Sequence, residues 1–144
     1  MWNFWSYSPI ETSVGFEDVK RVIQTRGSHL LINTLSIMEQ HCLIYSTLAH
    51  DREESIINHM MESTSMADIV VYGKHSADET PYAKQKQLKR LGFERVYVYG
   101  GGLFEWLLLQ DIYGAAEFPT TSVCKDLLAY RPTPKLEPRA AITF

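Results

Sequence analysis

Four short runs rich in apolar, β-branched and tyrosine residues constrain this chain most. They are residues 30–35 (Leu-Leu-Ile-Asn-Thr-Leu), 43–47 (Leu-Ile-Tyr-Ser-Thr), 69–72 (Ile-Val-Val-Tyr) and 96–99 (Val-Tyr-Val-Tyr). None alternates cleanly between apolar and polar residues. A short continuous apolar run suits a strand buried on both faces, as in a parallel sheet. A fifth strand is expected near residues 5–10. Helical patterns separate the runs. Phe16, Val19, Val22 and Ile23 follow helical spacing up to Gly27, a natural C-cap. Asp51 opens an Asp-x-x-Glu capping box with Glu54, followed by an apolar side of Ile56, Ile57, Met60 and Met61. Pro81 suits the first turn of a helix that stops at Gly92. Residues 103–113 form another helix, ended by Gly114. Thr121 or Ser122 caps a last helix running to Tyr130, stopped by Pro132. Strands alternating with helices at this spacing predict a small, mostly parallel α/β sheet of about five strands with helices on both faces.

One domain accommodates the 144 residues, with 45% of them hydrophobic. It is expected to span residues 1–130, with a proline-containing extended tail over 131–144. The net charge of −3 gives no general attraction to nucleic acid or anionic membranes. Lys84, Lys86, Lys89, Arg90 and Arg95 form a locally basic stretch; nucleic-acid binding would want aromatic residues on the same surface, whereas Lys86, Lys89 and Arg90 read as a solvated helix face. Lys84 lies at the loop end of a stripe with Leu88 and Leu91, and is expected to lean towards Asp78 or Glu79. The first residues carry no basic segment before a long apolar run, and the most apolar stretch is too short to span a bilayer. A soluble, intracellular protein is therefore expected. Cys42 and Cys124 belong to no C-x-x-C pair or ligand cluster, and read as two reduced thiols.

Ligands of open α/β sheets bind beyond the carboxyl ends of the strands. The informative loop is Gly73-Lys74-His75-Ser76-Ala77-Asp78-Glu79-Thr80, which runs from the end of 69–72 into the Pro81 helix. A strand feeding a tight loop into a helix N-terminus makes an anion cradle. His75, Ser76 and Asp78 are too close in one loop for triad geometry. His75, Asp78 and Glu79 lack a metal-ligand spacing. The loop admits two starts for its helix: a capping box from Ser76 to Glu79, or a cap at Thr80 with Pro81 first in the helix.

Ile-Val-Val-Tyr, this loop, the helix, Gly92-Phe93, Val96-Tyr97-Val98-Tyr99, Gly100-Gly101-Gly102 and Trp106 together resemble the rhodanese homology domain. The resemblance runs over about residues 16–106 and is specific from Ile69 onward. It implies a close turn at the three glycines and a Trp106 packed in the core. It also implies a persulfide-forming cysteine directly after the strand's Tyr, where this chain has Gly73. An Arg late in the loop is matched by Asp78-Glu79. The family's Ile-Asp-Val-Arg strand is matched by Ile32-Asn33-Thr34-Leu35. The loop is also slightly longer than in typical sulfurtransferases, a feature of the phosphatase branch, which uses a cysteine and an arginine as well. Three functional signatures are thus replaced on a retained scaffold. The expectation is a non-catalytic module with residues 73–80 as a vestigial active-site or ligand-binding loop, no cofactor, no metal, no anion in the cradle, and a protein partner or a second copy as its ligand. Two alternatives stay open: altered chemistry in the same cleft through His75 or the carboxylates, and a sulfur carrier using Cys42 or Cys124.

Overall fold

The computed structural model describes residues 12–25, 27–63 and 67–143. Strand β1 (Ser13–Val14) leads into helix α1 (Phe16–Gln24), and β2 (His29–Asn33) is followed by α2 (His50–Ser63). Strand β3 (Asp68–Tyr72) leads to α3 (Thr80–Arg90), and β4 (Val96–Tyr99) to α4 (Gly102–Tyr113). The described strands form one parallel sheet in the order β1-β4-β3-β2, with Leu31 beside Val70 and Val71 beside Val98.

Both faces of the sheet are covered, which is why its strands read as continuous apolar runs. Successive residues point to opposite faces. Leu31, Val70, Tyr72 and Tyr99 join Val19 and Val22 of α1 and Leu103, Trp106 and Leu107 of α4 in one core layer. Ile32, Ile69, Val71 and Val96 join Ile57 of α2, Leu88 of α3 and Phe93 in the other. Trp106 is fully buried, meets Phe118 edge-on at 5.0 Å, and donates its indole N–H to the Pro119 carbonyl at 3.0 Å. Buried polar groups of this kind need such a partner.

Three sequence expectations need correction. Residues 43–47 do not form a strand. They touch β2 through one parallel bridge, Leu31 with Thr47, while Ile44 pairs antiparallel with Thr120. Ser46 adopts a positive φ of 72° in a turn closed by Thr47 N–H to the Ile44 carbonyl, so the run bends away from the sheet edge. The same pairing cancels the last predicted helix. Thr121 N–H donates to the Leu43 carbonyl at 2.8 Å, its hydroxyl accepts from Leu43 N–H, and the Ser122 hydroxyl donates to the His41 carbonyl. These polar groups are spent on residues 41–43, and only a 3-10 turn at Leu127–Tyr130 remains, capped by Asp126. Asp51 is no cap either, because α2 already starts at His50, with Arg52 N–H bonded to the Ala49 carbonyl. The sheet has four described strands rather than about five; the strand expected at 5–10 lies outside the described residues. No helix among the described residues is long and apolar enough to cross a membrane. Residues 131–143 form no regular element and are largely exposed.

Candidate functional site

The loop from Gly73 to Thr80 leaves the carboxyl end of β3, where ligands of such sheets bind. It is bolted to α4 from below. Leu103 N–H donates to the Gly73 carbonyl at 3.0 Å and Phe104 N–H to the Lys74 carbonyl at 2.9 Å. The first N–H groups of a helix lack intrahelical partners, and here two of them hold the loop. The approach is close enough to require glycine. Gly102 has φ 68°, and a Cβ there would stand 2.8 Å from the Gly73 carbonyl oxygen and 2.9 Å from His75 N.

The cradle is occupied by the chain's own carboxylate. Asp78 Oδ2 accepts from Lys74 N–H at 2.8 Å. Its Oδ1 accepts from Thr80 N–H at 2.9 Å and from the Thr80 hydroxyl at 2.7 Å. The Thr80 hydroxyl also bonds that of Thr34 at the end of β2, at 2.8 Å. Neither Ser76 nor Thr80 caps the helix: α3 begins at Thr80 with Pro81 in its first turn, the preceding Glu79 makes no side-chain cap bond, and Asp78 instead holds Thr80 N–H. This side chain also fills the space beside Gly73. A Cβ on Gly73 would collide with Asp78 Oδ2 and stand 2.9 Å from both Asp78 Cγ and Pro81 Cδ.

Burial raises the Asp78 pKa, but hydrogen bonds from Lys74 and Thr80, with a smaller contribution from His75, outweigh it and hold the carboxyl below its ordinary 3.8. A group whose pKa is depressed by folding stabilises the fold above its unfolded pKa, and that contribution is lost as pH falls through the folded value. The loop is expected to stay closed through pH 4 and to open only in stronger acid. Amide exchange at Lys74 and Thr80, followed against pH, checks this; loss of protection above pH 4 would contradict it.

The other loop residues are bound to backbone or to neighbours. His75 Nδ1 accepts from Ala77 N–H at 3.1 Å, which leaves its ring proton on Nε2. Asp78 N–H donates to the His75 carbonyl, closing the turn around Ser76 and Ala77. His75 and Asp78 thus serve the loop backbone instead of forming a relay with Ser76. Ser76, Ala77 and Glu79 are exposed. Lys74 forms an ion pair with Glu39 at 2.7 Å, and its ammonium lies 5.9 Å from the Tyr130 ring centroid. The hydrogen bond to Lys74 holds the Glu39 carboxyl below its usual range despite partial burial. Lys84 does not lean on the loop; it pairs with Glu53 of α2 at 3.2 Å. The carboxylate across the α2–α3 groove is closer than either loop carboxylate because Asp78 is turned back onto Lys74 N–H. Asn33 and Gln40 exchange amide hydrogen bonds at 3.1 and 2.8 Å, and Asn33 Oδ1 also accepts from Leu35 N–H. Among the described residues, no group of three or more His, Cys, Asp or Glu side chains is placed to hold a metal ion.

Thr34, Glu39, Gly102 and Tyr130 complete the loop's surroundings. Thr34 was findable, since it ends the strand beside β3. Glu39 and Tyr130 carry no local signal, because only the tertiary fold brings residues 39, 74 and 130 together.

A parallel sheet covered on both faces, with a cradle loop between the tip of one strand and the next helix, defines the class as an α/β domain of the ligand-at-strand-ends type. Within that class, residues 39–109 match the family model of the rhodanese-like domain. Among solved structures it resembles the Alr3790 protein from Anabaena sp., with 23% identity over 76% of this chain and 82% of that one, at a TM-score of 0.53. It also resembles the BH2092 protein from Bacillus halodurans, with 15% identity over 73% of this chain and 75% of that one, at a TM-score of 0.56. Both likenesses concern the fold. Comparison with curated proteins gives no match.

Proposed function

We propose that this chain is a rhodanese-like module without sulfurtransferase activity, acting through a protein partner or a second copy. The observation that carries this reading is the pairing of Gly73 with Asp78. The residue after the strand's tyrosine has no side chain, and the space a side chain would need holds a carboxylate. Persulfide transfer needs a thiolate stabilised by cradle N–H groups. Here the N–H groups of Lys74 and Thr80 are already bonded to an internal anion. An external anion would meet the same carboxylate as a like charge. The apolar side chains of Leu108, Ile112 and Tyr113, exposed on α4, support a contact surface away from the loop.

The test is thiosulfate:cyanide sulfurtransferase activity of the wild type, with intact-mass detection of a persulfide. Turnover is expected to stay at the buffer rate, with no added sulfur on the protein. Turnover abolished by Cys124→Ser would overturn the reading and assign the chemistry to the thiols instead.

A further inference from the structure

Cys42 and Cys124 are 82 positions apart in sequence (124 − 42), yet the fold brings them together. Residues 41–45 run antiparallel to residues 119–122. Leu43 and Thr121 exchange hydrogen bonds, Ile44 bridges Thr120, and Tyr45 N–H donates to the Pro119 carbonyl. This register sets Cys42 opposite Ser122, whose carbonyl accepts from the Cys42 thiol at 3.6 Å. Cys124 then falls two residues on, diagonally across the pair, and packs against the core cluster that holds Cys42. The two thiols interact electrostatically, and both push the Tyr130 hydroxyl up.

Their surroundings differ. Cys42 is completely buried in the core layer of α1 and α4. Cys124 is partly exposed and lines two clefts, of about 460 Å³ and 370 Å³, on either side of residues 122–127. Burial, and then the neighbouring Cys124, push the Cys42 thiol up to about 11. A small oxidant therefore meets Cys124 first.

We propose that Cys42 and Cys124 are a redox latch, closed by a low-molecular-weight disulfide such as oxidised glutathione, that locks the C-terminal segment onto the loop after β2. The Cys124 thiolate attacks one sulfur of the small disulfide, its S–S bond breaks, and one small thiolate leaves. Cys42 then gives up its proton and attacks the Cys124 sulfur, the mixed disulfide breaks, and the second small thiolate leaves. Two protein thiols are oxidised, one small disulfide is reduced to two thiols, and the two protein protons end on the released thiols. Closing the bond requires a shift of residues 122–126, which belong to no helix or strand. The locked segment ends in Tyr130, beside Lys74 and Glu39, so the latch fixes the cover of the loop at residues 73–80. This holds whether or not that loop supports any reaction.

Oxidised glutathione added to the reduced wild type tests this by mass and peptide mapping. The expected product is a monomer lighter by two hydrogens, with one peptide linking Cys42 to Cys124. Tryptic cleavage after Lys125 is expected to slow by about tenfold in that product, since cleavage needs the segment to open. Cys42→Ser is expected to stop at a glutathione adduct on Cys124, and Cys124→Ser to stay unmodified while folded. A wild type that stops at the mixed disulfide, or that forms a covalent dimer through Cys124, overturns the latch. Should Cys42→Ser fail to fold, the wild-type mapping decides alone.

Discussion

Gly102→Ala is expected to destabilise the domain by about 3 kcal/mol or more, from two additive sources. Alanine in the left-handed region costs about 1–2 kcal/mol. Overpacking against a close-packed neighbour costs about 1–3 kcal/mol more. The second term is at the high end here because what the new Cβ meets is backbone: the Gly73 carbonyl at 2.8 Å and His75 N at 2.9 Å. Backbone cannot rotate aside as a side chain would. Relief requires the loop to lift from α4, breaking the bonds from Leu103 N–H to Gly73 and from Phe104 N–H to Lys74. Urea denaturation of the variant beside the wild type measures the loss. A difference below about 1 kcal/mol would mean that the loop is not clamped between β3 and α4.

Gly73→Cys carries the second large effect, and its size depends on the residue at position 78. Alone, it drives a Cβ into Asp78 Oδ2 and to 2.9 Å from Pro81 Cδ. The expected cost is about 2–3 kcal/mol, since the carboxylate must leave the N–H groups of Lys74 and Thr80 to make room. The displaced carboxylate also opposes a thiolate beside it. Adding Asp78→Ala removes the colliding atoms and frees the cradle donors. The double variant is therefore expected to recover about 1 kcal/mol or more relative to the sum of the single changes. It should also take up sulfur from thiosulfate where Gly73→Cys does so poorly or not at all. The Pro81 contact persists, so recovery falls short of wild type. Stability from a double-mutant cycle, with persulfide mass on each variant, checks both parts. Equal persulfide formation with and without Asp78 would show that the carboxylate does not govern the cradle.

The sheet was readable wherever the sequence pattern was continuous. Ile69–Tyr72 and Val96–Tyr99 are apolar throughout because α1 and α4 cover one face and α2 and α3 the other. The ends of α3 and α4 were readable as well, because Gly92 and Gly114 adopt positive φ there. Residues 43–47 have the same composition yet form no strand. Their hydrogen-bonding groups had a competitor more than seventy positions later in the chain, and periodicity holds no record of it. The helix expected after Thr121 was lost to the same pairing.

The site divides in the same way. By itself, the sequence determined a loop of residues 73–80 between a buried strand and a proline-started helix, because strand runs, turn residues and caps are local properties of the chain. It also determined that Gly73 brings no side chain to that loop. Only the tertiary structure decided that Asp78 turns inward to fill the cradle. It likewise decided that Lys74 is held by Glu39 beside Tyr130, that Lys84 answers Glu53, and that Cys42 and Cys124 share one core cluster. Each of these depends on which groups lie within hydrogen-bond reach once the helices are docked, a matter of distance in space that order along the chain does not encode.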